Sequence, residues 1–137
     1  MFKTILFPVD RSREAREAAE TVVNLVKTYQ SKLILLSVVE KAVDGEENPD
    51  AGAMGSEEEV AKLLEGAKSL FAQQGITAQV IEREGMPSFT ICDVADEVDA
   101  ELIVMGCRGL GLTQEGATES VTNRVINLSP CPVLIVP

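Results

Sequence analysis

Short aliphatic runs alternate along this chain with longer segments in which apolar residues recur every three or four positions. The runs span residues 3–9, 33–39, 102–105 and 132–136, while residues 77–83 alternate between apolar and polar side chains. Near-continuous Ile, Val and Leu are typical of strands buried on both faces of a parallel sheet, because helices cover such a sheet above and below. We therefore predict four fully buried strands and a fifth, at 77–83, with one wetter face.

Apolar stripes of helical period predict four helices between these strands. The stripes consist of Ala15, Ala18, Ala19, Val22, Val23 and Val26, then Val60, Leu63, Leu64, Ala67, Leu70 and Phe71, then Ile91, Val94, Ala95 and Val98, and finally Val121, Val125 and Leu128. Ser12 can cap the first helix, a Ser56-x-x-Glu59 capping box opens the second, and Gly75 follows it. Pro130 ends the fourth. The order β-α-β-α-β-α-β-α-β predicts an α/β fold, with an open five-stranded parallel sheet, helices on both faces and a Rossmann-like architecture.

The length of 137 residues, 45% of them apolar, suffices for one compact core, and we predict a single domain over residues 1–137. Residues 41–55 interrupt the pattern, because they are acidic, rich in Gly and Ala, and without a hydrophobic period. They predict a flexible loop of unusual length. A solvated loop is the simpler interpretation, and a lid over a ligand is the alternative.

The chain is strongly acidic, with 22 Asp and Glu against 12 Lys and Arg and a formal net charge of −10. Such a surface repels phosphate backbones and anionic lipid headgroups, so we expect neither nucleic acid nor a membrane as a partner. No segment approaches the roughly 18 apolar residues of a membrane span, and the first apolar run is too short for a secretory signal. Cys92, Cys107 and Cys131 form neither a CxxC pair nor a disulfide framework, so we expect a cytoplasmic protein.

The chain contains no histidine. This absence excludes Ser-His-Asp and Cys-His catalysis, HExxH zinc sites and any histidine acid/base step. Because no obvious base is available to activate a nucleophile, we expect a protein that is not an enzyme. Weak nucleotide hydrolysis or nucleotidyl transfer is the alternative, and Asp10→Ala is then expected to abolish it.

Ligands of open α/β sheets bind outside the carboxyl ends of the strands, where the strand order reverses. The first strand is not followed by a glycine-rich dinucleotide motif, and no lysine comes after Lys68 to complete a late phosphate-binding P-loop. A phosphoacceptor receiver domain needs several clustered acids, of which the end of the first strand supplies only Asp10. Asp10 is a candidate site residue, with capping of the next helix as its alternative role.

A loop with two glycines follows the fourth strand. Gly106 and Gly109 allow the backbone to approach a ligand and to direct N–H groups at an anion. Ser120 and Thr122 add hydroxyls near the start of the last helix, where the dipole favours negative charge. This spacing fits a phosphate site, and it fits equally a tight turn in which Ser120 caps the helix.

Over its whole length the chain resembles the universal stress protein family. The matching segments are Phe7-Pro8-Val9-Asp10, Gly85-x-Pro87, Ile103-Val104-Met105-Gly106, the signature Gly106-x2-Gly109 with Ser120 near its end, and Pro130-Cys131-Pro132-Val133-Leu134-Ile135-Val136. The resemblance implies a fold similar to the adenine nucleotide alpha hydrolases and a nucleotide-binding module for stress response or signalling. It also implies a homodimer formed through the C-terminal strand, residues 132–136, beside an unknown protein partner.

The resemblance further implies ATP, ADP or AMP as the ligand, with Mg²⁺ as an optional companion. The positions matched to the family's site are Asp10, Val38, Gly106, Arg108, Gly109, Ser120, Val121 and Thr122. In the family's pattern, Asp10 contacts the ribose and the backbone of Val38 meets the adenine. Gly106 and Gly109 pass beneath the sugar and phosphates, and the hydroxyls of the last helix bind the phosphate tail. For Arg108, pairing with phosphate and a solvated loop position are equal alternatives.

Two residues depart from the family's pattern. Glu119 replaces the third glycine of the signature and brings a Cβ and a negative charge toward the phosphates. A carboxylate about 5 Å from one phosphate charge costs about 3 kcal/mol at an effective dielectric of about 20, roughly a hundredfold in affinity. We therefore expect Glu119 to repel AMP or ADP less than ATP, and Glu119→Gly to raise the affinity for ATP. Arg11 adds bulk where the family commonly has Gly.

Glu119 also defines the alternative function, a dimeric interaction protein of the same fold whose nucleotide site is closed. Cys107 lies in the glycine loop, where it is either a reactive thiol beside Arg108 or, as we favour, a small residue that fills the loop. Cys92 and Cys131 fall on helix and strand patterns and are predicted to be core residues.

Overall fold

The computed structural model describes residues 2–9, 13–39, 57–106 and 121–136. Its elements are β1 (Thr4–Pro8), α1 (Arg13–Tyr29), β2 (Lys32–Val39), α2 (Glu57–Gln73), β3 (Ala78–Glu84), α3 (Pro87–Glu97), β4 (Leu102–Gly106), α4 (Val121–Leu128) and β5 (Val133–Val136). The predicted alternation of strands and helices is confirmed. The acidic segment 41–55 lies outside the described residues.

All five strands join one parallel sheet in the order β3-β2-β1-β4-β5. The chain therefore builds outward from β1 to β3, returns across the sheet through α3, and continues from β4 to β5 on the other side of β1. This confirms the predicted fold class. The strand order reverses at β1 and β4, which is where open α/β sheets place their ligands.

Two hydrophobic cores lie on opposite faces of the sheet. Because successive strand residues point to opposite faces, Ile5 and Phe7 join the core beneath α1 and α2, while Leu6 joins the core beneath α3 and α4. Phe7 also meets Phe71 of α2 edge to face, with ring centroids 6.1 Å apart. Complete burial of each such side chain contributes about 1.5–3 kcal/mol. A strand that contributes side chains to both cores has to be apolar at nearly every position, which explains the continuous aliphatic runs in the sequence.

The edges of the sheet are less covered than the sequence predicts. We expected the last run to be buried on both faces, but β5 contains no fully buried residue and Leu134 is 37% exposed. The expected stripe of α4 is also only partly buried, because Val125 is covered while Val121 and Leu128 are 38% and 47% exposed. The reason is position: β5 is an edge strand with one neighbour, and α4 has only eight residues.

The ends of α2 and α3 follow from local backbone chemistry. Gly75 adopts φ +80, a left-handed conformation that favours glycine, and the chain then turns so that Ile76 donates its N–H to the carbonyl of Phe71. The N-cap of α3 is Met86, which makes no side-chain capping bond, and Pro87 begins the helix. The glycine that we predicted to follow α2 therefore ends it.

Candidate functional site

The hydrogen-bonded ladder between β1 and β4 stops before either strand ends. Their ladder consists of the pairs Ile5–Leu102 and Leu6–Ile103. On its other side β1 stays paired with β2 as far as Pro8. The carboxyl ends of β1 and β4 are therefore not joined by ladder hydrogen bonds at the point where the strand order reverses, and we call the space between these two ends the gap.

Pro8 explains why the ladder stops there. The backbone groups of successive strand residues point to opposite sides of the strand. Just before β1, the carbonyl of Lys3 accepts a hydrogen bond from the N–H of Lys32, the first residue of β2. The carbonyl of the next residue, Thr4, accepts from the N–H of Glu101, which precedes β4. By this alternation the backbone of Pro8 faces β4. Since proline has no N–H, it cannot donate the next bond of the ladder. A single residue of β1, Pro8, thus determines where the ladder to β4 ends.

Val38 presents its backbone to this gap from the β2 side. The N–H of Val9 donates to the carbonyl of Leu36 at 2.8 Å, so the backbone groups of Leu36 point toward β1. The backbone groups of Val38, two residues later, point to the same side, just beyond the end of β1. None of the backbone hydrogen bonds among the described residues joins Val38 to β1. The side chain is 7% exposed and anchors the strand in the core beneath α3 and α4. Among the described residues, Val38 therefore has one backbone donor and one backbone acceptor on this side to which no residue of β1 bonds.

Gly106 presents its backbone to the gap from the opposite side. The N–H of Ile103 donates to the carbonyl of Pro132 next to β5, so Gly106, three residues later, faces β1. Thr122 Oγ1 donates to the carbonyl of Gly106 at 3.2 Å. This bond holds the first turn of α4, which begins at Val121, against the end of β4. The dipole of α4 favours negative charge at this end of the helix.

Ser37 is a polar residue of the site that the sequence analysis missed. It is 1% exposed, and its hydroxyl donates to the carbonyl of Val9 at 3.4 Å. The bond ties the end of β1 to β2 after the regular ladder has finished. The available signal was a single serine within an otherwise aliphatic run, because a buried hydroxyl needs a partner.

The start of α3 lies against α4, a contact that was not predicted from the sequence. Ser88 is 1% exposed, and among the described residues its hydroxyl has no hydrogen-bond partner. Arg124 of α4 places its Nη1 3.8 Å from the sulfur of Met86, which links the first residues of α3 to α4. Sequence spacing gave no signal for this contact, because it depends on how the two helices pack.

The structure describes half of the predicted site. Val38 and Gly106 lie on either side of the gap, Thr122 is bonded to Gly106, and Val121 begins α4 with its side chain 38% exposed. The other residues of interest, which are Asp10, Arg108, Gly109 and Ser120 together with Arg11, Cys107 and Glu119, lie outside the described residues.

The described part of the site suits a planar polar ligand. Val38 and Gly106 contribute backbone groups from two strands, and the side chains of Val9 and Val38 beside them are buried. Backbone donors and acceptors of this kind can recognise the edge of a heteroaromatic base. Within the described ranges, no group of three acidic or cysteine side chains is placed to hold a metal ion. Nor is any helix described there long and apolar enough to cross a membrane.

The sequence and structure are similar to known proteins over their full extent. The model of the universal stress protein family matches residues 1–137. Universal stress protein Sll1654 of Synechocystis sp. is 72% identical over 137 residues, which is 100% of this chain and 87% of that protein. The solved universal stress protein UspA from Lactobacillus plantarum is 28% identical with a TM-score of 0.74, covering 99% of this chain and 98% of the other. A solved universal stress protein in complex with cAMP is 23% identical with a TM-score of 0.78, covering 98% and 97%, and is similar in fold.

Proposed function

The chain belongs to the universal stress protein family, and from this premise we propose that it binds an adenine nucleotide in the gap between β1 and β4. The bound nucleotide would set the state of a module for stress response or signalling. The observation that carries the proposal is the pair of backbone surfaces, Val38 and Gly106, that face each other across the end of β1.

The base is assigned to the side of Val38. One backbone N–H and one C=O match the acceptor and donor on the edge of adenine, and the buried strand holds them rigidly, so no special side chain is needed. A fold neighbour solved with cAMP supports the choice of an adenine nucleotide for this architecture. Asp10 is proposed to accept from the ribose hydroxyls, because it directly follows β1 and Val9.

The phosphates are assigned to the side of Gly106 and α4. A glycine lets the backbone approach closely, and the start of α4 favours negative charge. In the bound state the Thr122 hydroxyl, which here donates to the carbonyl of Gly106, is proposed to turn and donate to a phosphate oxygen instead. Arg108, Gly109, Ser120 and Val121 complete the proposed phosphate site, on the strength of the family's signature.

We favour AMP or ADP over ATP as the ligand. Glu119 brings a negative charge into the signature, and repulsion grows with the number of phosphates that pass it. Mg²⁺ held between the carboxylate and the phosphates would relieve this repulsion. The chain has no histidine, so no imidazole can accept a proton from an attacking water or hydroxyl. We therefore propose a binding protein and not an efficient hydrolase.

Titration calorimetry with AMP, ADP and ATP, each with Mg²⁺, tests the proposal. Thr122→Val keeps the shape of the side chain but removes its hydroxyl, and a hydrogen bond to a charged group contributes about 1.5–3 kcal/mol. We expect an affinity loss of about tenfold or more. Thr77→Val, an exposed threonine that precedes β3 at the opposite end of the sheet, is the matched control. Absence of binding to all three nucleotides would refute the proposal.

A second candidate function is a dimeric interaction protein with its nucleotide site closed by Glu119. The half-covered β5 favours the dimer in either case, because its outer edge has no neighbour among the strands that the structure describes and Leu134 is 37% exposed. We propose that a second copy of the chain pairs along residues 132–136. The two functions differ in the calorimetry above, since only the first predicts heat of nucleotide binding.

A further inference from the structure

A buried hydroxyl lies in the first turn of α3. Ser88 is the second residue of that helix and is 1% exposed, and its Oγ has no hydrogen-bond partner among the described residues. A hydroxyl that is removed from water without gaining a partner costs free energy, so such groups are rare in folded proteins. Ser37, which is equally buried, does have a partner, the carbonyl of Val9. Ser88 therefore holds a donor and an acceptor that the described residues do not use.

The segment that begins α3 spans the sheet from β2 to α4. Just before the helix, the N–H of Gly85 donates to the carbonyl of Val39, at the end of β2, at 2.9 Å. The sulfur of Met86, the next residue, lies 3.8 Å from Nη1 of Arg124 in α4. The start of α4 is in turn held against the end of β4 by the hydroxyl of Thr122. Since β1 lies between β2 and β4 in the sheet, the start of α3 passes over the carboxyl end of β1, where the gap is.

Ser88 lies on the face of α3 that is turned to the sheet. The buried residues of this helix are Ser88, Ile91, Val94 and Ala95, and Ile91 belongs to the same core as Val38. Because α3 connects two parallel strands, it runs from the carboxyl end of the sheet to the amino end. Ser88, one turn before Ile91, is therefore the buried residue of α3 nearest the gap. Helical side chains lean toward the N-terminus of their helix, which directs the hydroxyl of Ser88 toward the carboxyl ends of the strands.

We propose that Ser88 is a specificity-determining residue that contacts the base of the bound nucleotide. Its hydroxyl bonds to a ring nitrogen or to the amino group of adenine, while the backbone of Val38 bonds to a neighbouring part of the edge. A serine turns about a single side-chain torsion, so the hydroxyl reaches a ligand in the gap without movement of the helix. This inference rests on the proposed function and adds a side chain to a base site otherwise made of backbone groups.

The surroundings of Ser88 favour a neutral base over a phosphate group. The core that α3 covers ends, at the carboxyl ends of β2 and β4, in the apolar side chains of Val38 and Met105. Among the described residues no charged side chain is buried, so a phosphate placed here would lose its hydration without gaining a cation. A flat aromatic base packs against aliphatic side chains and needs only a few polar partners. A hydroxyl both donates and accepts, so it suits the mixed donors and acceptors of adenine.

Titration calorimetry of the full-length protein with AMP and with adenosine tests the role of Ser88. In Ser88→Ala we expect the affinity to fall by about three- to tenfold, and equally for both ligands because both carry the base. The urea midpoint of the ligand-free variant should stay the same or rise, because a hydroxyl without a partner has been removed. Ser129→Ala is the matched control. The Ser129 hydroxyl donates to the carbonyl of Cys131 at 2.7 Å, so its loss should lower the urea midpoint and leave both affinities unchanged.

The outcomes separate this inference from the proposed function. If wild-type protein binds neither ligand, both are refuted, whereas equal binding by wild-type protein and Ser88→Ala refutes only the role of Ser88. A loss confined to AMP would place the hydroxyl at the phosphates, and a lower urea midpoint of Ser88→Ala would show that the hydroxyl already has a structural partner, so either result overturns the inference. In labelled wild-type protein, saturating adenosine should shift the amide resonance of Ser88 and not that of Ser129. An unmoved Ser88 amide would overturn the inference even if the variant fails to fold.

Discussion

Pro8 determines where the proposed site begins, because its backbone has no N–H to donate to β4. Its position makes it face β4, and the missing N–H ends the β1–β4 ladder at Leu6 and Ile103. The residues that then border the gap, Val38 and Gly106, contribute backbone groups and not side chains. A site of this kind depends on which way each peptide group points, and so it tolerates many side-chain changes.

The thiols of Cys92 in α3 and Cys131 before β5 predict a pH dependence of stability at the residue scale. Burial, first among the causes, raises the pKa of Cys92 and Cys131 above 9.0 in the folded protein. The unfolded chain therefore releases these protons at lower pH, and the stability that the neutral thiols contribute is lost as the pH rises above about 9. Under reducing conditions, the urea midpoint of wild-type protein should fall more steeply between pH 8 and 10 than that of Cys92→Ala/Cys131→Ala. Parallel curves would show that the thiols are not shifted.

At the scale of elements, the strands that a sequence pattern predicts well are those with a neighbour on both sides. The run that became β2 feeds two cores and is buried from Leu33 to Val39, as its continuous apolar pattern predicts. The equally apolar run that became β5 is half exposed, because exposure of an edge strand depends on sheet order and not on its own residues. That Pro8 ends the β1–β4 ladder could not be predicted for the same reason, because the prediction requires knowing that β4 is the neighbour of β1.

Restoring the missing donor of β1 tests the origin of the gap. Pro8→Ala supplies an N–H that faces β4, and we expect the ladder to extend past Leu6 and to narrow the gap. Nucleotide affinity should fall by about tenfold, while the free energy of unfolding stays the same or rises through the added hydrogen bond, by about 0.5–1.5 kcal/mol. Calorimetry and urea unfolding measure the two effects. Unchanged affinity in a folded variant would mean that the ligand does not occupy this gap.

At the scale of the whole molecule, the proposed nucleotide site lies at one end of the sheet. The carboxyl ends of the strands hold the gap, with Val38 on one side and Gly106 on the other. The fold class could be predicted from periodicity, and the general rule for open α/β sheets predicted a ligand at the carboxyl ends of the strands. The two strands that border the gap followed only from the strand order in the structure, and the contact of Val38 with a base came from the resemblance to the family. Ser37 and the Met86–Arg124 contact could not be predicted, because they depend on packing between elements distant in the sequence.

The proposed dimer makes a prediction at this scale. Leu134→Glu places a charge on the half-covered face of β5, where a second copy would have to desolvate it. We expect the variant to elute as a monomer in light-scattering chromatography while wild-type protein elutes as a dimer. Leu70→Glu, on α2, changes a leucine that is 47% exposed and serves as the control, because it lies away from β5. A dimeric Leu134→Glu protein would contradict pairing through this strand.

The central claim is that backbone groups on both sides of β1 hold an adenine nucleotide, and the backbone amide resonances report on it directly. In a titration of isotopically labelled protein with AMP, the account predicts saturable shifts for the amides of Val38 and Gly106 and none for those of Ala78 and Val133 at the amino ends of β3 and β5. Val38 and Gly106 amides that stay unmoved at saturating AMP, or shifts centred elsewhere on the molecule, would contradict it.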